Sequence, residues 1–186
     1  MFEKLIASLS RLLSKNKIPY MIIGGQAVLL HGVPRLTKDI DITLGISTDN
    51  ISDVVNICRS AELSIIPDDY LDFVSKTFVL PAKDKVSGIR VDFIFSFTRY
   101  EQQAIKRGKE VKIENTSVNF ASVEDVIIHK IFAGRPRDIE DVQNMILKNP
   151  DMDTGYIRNW LSIFDEAEEK PRFADSFSRV QDNTSK

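Results

Sequence analysis

The chain has 186 residues, 42% of them apolar and 28% charged, with a formal net charge of −2 at pH 7. That is enough apolar sequence to bury a core of ordinary size, which excludes wholesale disorder. Near-neutrality excludes a protein that coats nucleic acid through bulk positive charge, while leaving room for a local basic patch.

In chain order, Phe2, Leu5, Ile6, Leu9, Leu12 and Leu13 share one helical face, and Glu3, Lys4, Arg11 and Lys15 interrupt any secretory leader. No apolar run approaches the length that spans a bilayer, so a soluble, cytoplasmic protein with no membrane partner is expected. Pro19 leads into a buried strand over residues 20–23, stopped by Gly24 and Gly25. A helix over 26–31 follows, closed by Gly32 and Pro34. Residues 39–44 alternate polar and apolar, the pattern of a strand with two unlike faces. A helix is expected over 50–63, where Cys58, alone in the chain and so unable to form an internal disulfide, reads as a small core residue. Residues 73–80 look extended and would pair as a hairpin with 89–95 across Ser87 and Gly88. Thr98 opens a helix to Arg107, ended by Gly108. A small hairpin joins 110–113 to 117–120. Ser122 with Asp125 caps a helix to Ala133, which Gly134 breaks; Pro136 suits the first turn of the next, which runs to Lys148. A last helix covers 154–169, and the polar end reads as loose. The expected fold is α/β (α+β): a mixed sheet with helices packed on it over 1–120, a C-terminal helical part over 121–170, and a flexible tail over 171–186.

Asp39 and Asp41 stand two residues apart on a strand, so both side chains leave one face while Ile40, Ile42 and Leu44 enter the core. Same-face positions lie about 6.5–7 Å apart. Carboxylates can converge from there on one hard cation, or on two cations about 3.5–4 Å apart. Oxygen ligands suit Mg²⁺, with Mn²⁺ as a substitute. Two such residues also occur by chance on exposed strands. A third carboxylate, Asp92, interrupts an otherwise apolar strand, where a charge is costly unless it is paired or bound to metal. The competing explanation is a salt bridge to Arg90 or a nearby lysine.

Gly24 precedes Asp39 by fifteen residues and ends a strand where a helix begins. Glycines there admit a close ligand, and the free N–H groups of a helix start attract anions; a tight turn that binds nothing is the alternative. The string IIGGQAVLLHGVPRLTKDIDITL resembles the signature of nucleotidyltransferases with the polymerase β-like fold, and the spacing from Arg35 to Asp41 is similar to that of minimal AbiEii/MenT-type toxins. The segment SVEDVIIHKIFAGRPRDIEDV resembles their second landmark, so the likeness brackets residues 18–145. The resemblance implies a nucleotidyltransferase core in which Gly24 and Gly25 hold the donor triphosphate and Asp39, Asp41 and Asp92 hold the metal. It also implies that Lys130 contacts the donor nucleotide, with Arg35, Thr37, Asp138 and Asp141 lining the nucleotide site.

Read from the residues alone, Val123, Ile127, Lys130 and Gly134 form one helical stripe. Lys130 either snorkels to solvent or aims its ammonium into a cleft, and His129 reads as a surface or boundary residue. Asp138, Glu140 and Asp141 suit the first turn of a helix with no function required; the resemblance suggests instead that Asp138 or Asp141 orients Lys130 or Arg137. Arg35 outranks Lys38 as a phosphate ligand because its fork binds in a bidentate manner.

The expected reaction moves an NMP from an ATP or other NTP donor onto an acceptor hydroxyl, with pyrophosphate release and magnesium dependence. The resemblance offers a tRNA 3′ end, a partner protein or a small molecule such as an antibiotic as acceptor, and a toxin–antitoxin role with an antitoxin partner. Lys106, Arg107, Lys109 and Lys112 supply either a tRNA patch or an ordinary solvated face. The rival class is a non-catalytic nucleotide- or partner-binding module on the same fold.

Overall fold

The structure, a computed structural model, describes residues 1–184. The chain divides into two compact units, one made of residues 1–26 and 36–121, the other of 27–35 and 122–186.

The first unit is a seven-stranded sheet in the order β3-β4-β5-β2-β1-β7-β6. Its strands are β1 (Tyr20–Ile23), β2 (Asp39–Leu44), β3 (Leu63–Ile65), β4 (Val79–Asp84), β5 (Arg90–Phe95), β6 (Lys109–Ile113) and β7 (Thr116–Phe120). β2 pairs in parallel with β5, and β1 in parallel with β7; the remaining neighbours are antiparallel, so the sheet is mixed. The helices of this unit are α1 (Phe2–Lys15), α3 (Ile51–Ser60), α4 (Tyr70–Thr77) and α5 (Arg99–Arg107). α1 buries Ile6, Leu9 and Leu13, from the apolar face read in the sequence. Cys58 is buried in α3, and that burial pushes its thiol up to about 12.

Residues 73–77, expected to be extended, are the second half of helix α4. The Asp69 side chain accepts the Asp72 N–H at the helix start, and Lys76 pairs with Asp72 one turn on; these local bonds outweigh the strand-like composition. The strand begins only at Val79, after Phe78 turns the chain with φ +57°. β3 was not anticipated at all.

α2 (Gly24–His31) starts in the first unit, and its residues from Ala27 onward belong to the second. The second unit is otherwise helical: α6 (Val123–Ala133), α7 (Pro136–Lys148), α8 (Thr154–Glu166) and α9 (Phe173–Thr184). Ser122 caps α6 by accepting the Asp125 N–H, and Gly134, at φ +63°, ends it. The segment expected to be a loose tail is α9, with Phe173, Phe177 and Val180 buried. Its first turn is held by Asp165 of α8, whose carboxylate accepts the N–H groups of Arg172, Phe173 and Ala174 at 2.7–2.9 Å. Burial raises the Asp165 carboxyl, and those three N–H bonds more than offset it, leaving it below its ordinary value. Periodicity cannot reveal such a bond, because the cap and the helix it closes are separate elements. No helix among the described residues is long and apolar enough to cross a membrane.

Candidate active site

Along β2 the side chains alternate as the sequence requires. Ile40, Ile42 and Leu44 are fully buried, while Asp39 and Asp41 are half-buried on the other face. β5 repeats the pattern, with Val91, Phe93 and Phe95 buried and Arg90, Asp92 and Ile94 opposite. The parallel register then sets Asp39 beside Arg90 and Asp41 beside Asp92. Paired strands lie about 4.8 Å apart, and residues in register share a face. The three aspartates therefore occupy two adjacent rows of one sheet face. The next strand extends these rows with Lys83 beside Arg90 and Pro81 beside Asp92. Lys83 escaped the sequence reading because β4 begins and ends several residues later than expected; Arg90 was visible two positions before Asp92.

On the far side of β2, Ile23 is the partner of Asp41, and Gly24 follows it. Gly24 has φ +63°, and a Cβ there would collide with the Asp41 carboxylate. A Cβ on Gly25 would collide with Thr37, whose hydroxyl donates to Asp39 at 3.2 Å. Both glycines are thus required by the packing of the aspartate strand and its approach, whatever else they bind. Gln26 donates to the Asp39 carbonyl at 3.3 Å and ties the start of α2 to the same strand.

The carboxylates are not drawn together into a cage: among the described residues, no three His, Cys, Asp or Glu side chains are grouped so as to hold a metal ion. Asp92 is turned toward Arg90, whose Nε donates to both of its oxygens at 2.8 and 3.0 Å, the salt bridge that the sequence reading held as the alternative. The Arg90 guanidinium is held above its ordinary value first by that bond, against a cost from partial burial, and then by the charges of Asp92, Asp39 and Asp41. One arginine thus feels all three aspartates. A set of carboxylates on one face is donor chemistry that suits a hard divalent cation, and the register brings the three onto that face, although their side chains do not converge on one point.

The second unit gathers the other expected site residues. Lys130 is only 9% exposed and neither snorkels nor stands alone: its ammonium lies 2.6 Å from Asp138 and 3.0 Å from Asp141. Gly134 makes this possible, because its left-handed turn sends the chain from α6 into α7 and brings the first turns of α7 back against Lys130. Arg35 forms two bonds of 2.9 Å to Asp141, and Arg135 Nε lies 2.8 Å from Asp138. Burial raises the Asp138 carboxyl, but the bonds and charges of Lys130 and Arg135 prevail and leave it lowered. Asp138 and Asp141 thus both meet Lys130. Thr37 lies with the aspartates of the first unit, whereas Arg35, Lys130, Asp138 and Asp141 lie in the second.

No curated protein is similar enough in sequence to count as a match. Solved structures share the fold. The antibiotic-resistance factor ANT(2'')-Ia is similar with a TM-score of 0.60 at 16% identity, over 89% of this chain and 91% of that one. An antigenic nucleotidyltransferase-like protein from Paracoccidioides brasiliensis gives 0.57 at 17% identity, over 95% and 91%. The lincosamide antibiotic adenylyltransferase LnuA gives 0.53 at 16%, over 76% and 94%. A family model for nucleotidyltransferases of unknown function (DUF6036) matches residues 1–178, and the chain belongs to that family.

Proposed function

We propose that the protein transfers a nucleoside monophosphate from an NTP to an acceptor hydroxyl, with a divalent ion, Mg²⁺ or Mn²⁺, held by Asp39, Asp41 and Asp92. The observation that carries this is the register of β2 against β5, which sets Asp41 beside Asp92 and Asp39 one row away on the same face. When bound, the metal supplies charge neutralisation for the triphosphate and for the oxygens that enter and leave. The residues supply placement. Gly24, partly exposed at the start of α2, would offer its backbone N–H to the donor's phosphates, with the buried Gly25 behind it. The acceptor oxygen attacks the α-phosphorus, the bond to the β-phosphate bridge breaks, pyrophosphate departs, and an aspartate of the triad receives the acceptor's proton.

In this proposal the roles of Lys130, Asp138 and Asp141 are narrower than the resemblance implies. Lys130 already satisfies two buried carboxylates, so it serves first as their internal cation; a phosphate would have to displace one of them. Arg35 is likewise committed to Asp141. For the acceptor, a small hydroxylated molecule fits better than tRNA. Lys109 and Lys112 lie exposed on β6, an edge strand, where lysines guard against strand pairing and need no ligand. The two antibiotic-related proteins of similar fold point the same way. A toxin–antitoxin role draws no support from these observations.

The test is incubation with α-³²P-labelled NTPs and a cell extract, then with purified candidate acceptors. Asp39→Asn and Asp41→Asn should each lower labelling by about 10³-fold while the protein stays folded, the scale of losing a principal electrostatic group. Undiminished labelling in both variants would remove the mechanism. One observation favours the rival, non-catalytic module: Asp92 is already neutralised by Arg90. Binding of Mn²⁺ by the isolated protein separates the two readings.

A further inference from the structure

We propose that Arg90 is the resident counter-cation of the aspartate face and that a divalent metal loads the site by displacing it; this rests on the metal reading above. The contact itself is the first reason. A single nitrogen, Arg90 Nε, engages both oxygens of Asp92 at 2.8 and 3.0 Å, so the carboxylate is occupied by the arginine while the contact lasts. Register is the second. Arg90 is the Cα partner of Asp39, one row from the Asp41–Asp92 pair, and therefore sits among the groups that would bind the ion.

Mobility is the third reason. The Arg90 side chain is 53% exposed and its partner only 15%, so water can take over the guanidinium at little cost whereas the carboxylate stays on the face. On its other side Arg90 has Lys83 as strand neighbour, exposed and of like charge, which disfavours a permanent place there. Metal entry and release of Arg90 are then a single exchange, and the freed guanidinium becomes available to an anion that arrives with the metal.

The experiment titrates Mn²⁺ into the nucleotide-free protein and reads free Mn²⁺ by electron paramagnetic resonance, for wild type, Arg90→Gln, Arg90→Lys and Asp92→Asn. Removing a partly exposed competing cation should tighten Mn²⁺ binding by about fivefold in Arg90→Gln. Arg90→Lys keeps the charge without the planar fork and should fall between, and Asp92→Asn should weaken binding. In wild type, added Mg²⁺ should shift the Arg90 Nε–Hε resonance toward that of a solvated arginine. If wild type binds Mn²⁺ and Arg90→Gln binds it equally or more weakly, Arg90 supports Asp92 as a ligand and the exchange is refuted while the metal reading survives. If neither binds Mn²⁺, the metal reading falls and takes the exchange with it.

Discussion

In the helical unit, Lys130 is enclosed by carboxylates that cancel its charge; in the sheet unit, a half-exposed arginine pairs with Asp92 and feels the charges of Asp39 and Asp41. The helical network is chained, running Arg35–Asp141–Lys130–Asp138–Arg135, with its centre buried and each of these contacts at 3.0 Å or less. Its buried centre, Lys130 with Asp138 and Asp141, cannot lose a member without leaving a charge stranded away from water. The aspartates of β2 and β5 are half-buried and crowd like charges onto one face. Charges that hold a fold together are buried among opposite charges; like charges crowded on a half-open face cost some stability. The contrast makes one cluster structural, and under the proposed function it leaves the other for chemistry.

The activity loss expected of Asp39→Asn and Asp41→Asn is the largest effect that follows. The next is its mirror image in stability. Asp138→Asn removes the charge facing a lysine that is 9% exposed and should cost about 3 kcal/mol, the lower range for breaking a buried pair, because Asp141 remains. Asp92→Asn relieves repulsion among three carboxylates and should change stability by no more than about 0.5 kcal/mol. Trp160, the only tryptophan, lies in α8 and reports the helical unit by fluorescence during urea unfolding; circular dichroism follows the whole chain. Equal costs for the two substitutions would erase the distinction between the clusters.

Acid sharpens the same comparison. The folded Asp138 carboxyl lies below its ordinary 3.8, so its contribution is complete above that value and is lost as pH falls through the lower folded one. The stability gap between wild type and Asp138→Asn should stay constant from about pH 5 to 8 and close progressively below about pH 4. Asp165, lowered by the N–H groups that open α9, has the same sign, so the helical unit should lose stability in acid even in the variant. A gap that widens on acidification would show that Lys130 does not hold Asp138 ionised.

How much of this was legible in the sequence depended on whether a feature lay within one element or between two. The strand ending at Gly24, the alternation from Asp39 to Leu44, and the caps at Ser122 and Gly134 are local, and their residues announce them. Asp41 beside Asp92 was only a conditional inference, because parallel strands are joined by long crossovers and nothing in either segment states the register. From its own helix Lys130 could only be read as snorkelling to solvent or reaching into a cleft, since its partners lie beyond a break in the helix. The residues from 73 to 80 failed differently: β-branched and aromatic side chains favoured a strand, and a cap bond with one salt bridge decided for helix as far as Thr77. Helix α9 was missed because a polar end looks loose until an acidic cap from α8 is known to hold it.

The smallest expected effect tests whether position alone separates a structural charge from an ornamental one within the helical network. Arg135 touches the same carboxylate as Lys130, at 2.8 Å against 2.6 Å, but its side chain is 77% exposed. Water and salt screen that contact, and Lys130 still satisfies Asp138 when Arg135 is gone. Arg135→Ala should therefore cost at most about 0.5 kcal/mol, and the difference should vanish in high salt. A larger, salt-insensitive loss would mean that Arg135 acts through the start of α7, where Asp138 also accepts the Arg135 backbone N–H at 3.3 Å, and not through its charge. Arg135→Lys distinguishes the two: restored charge without restored stability would assign the effect to the guanidinium's geometry at the helix start.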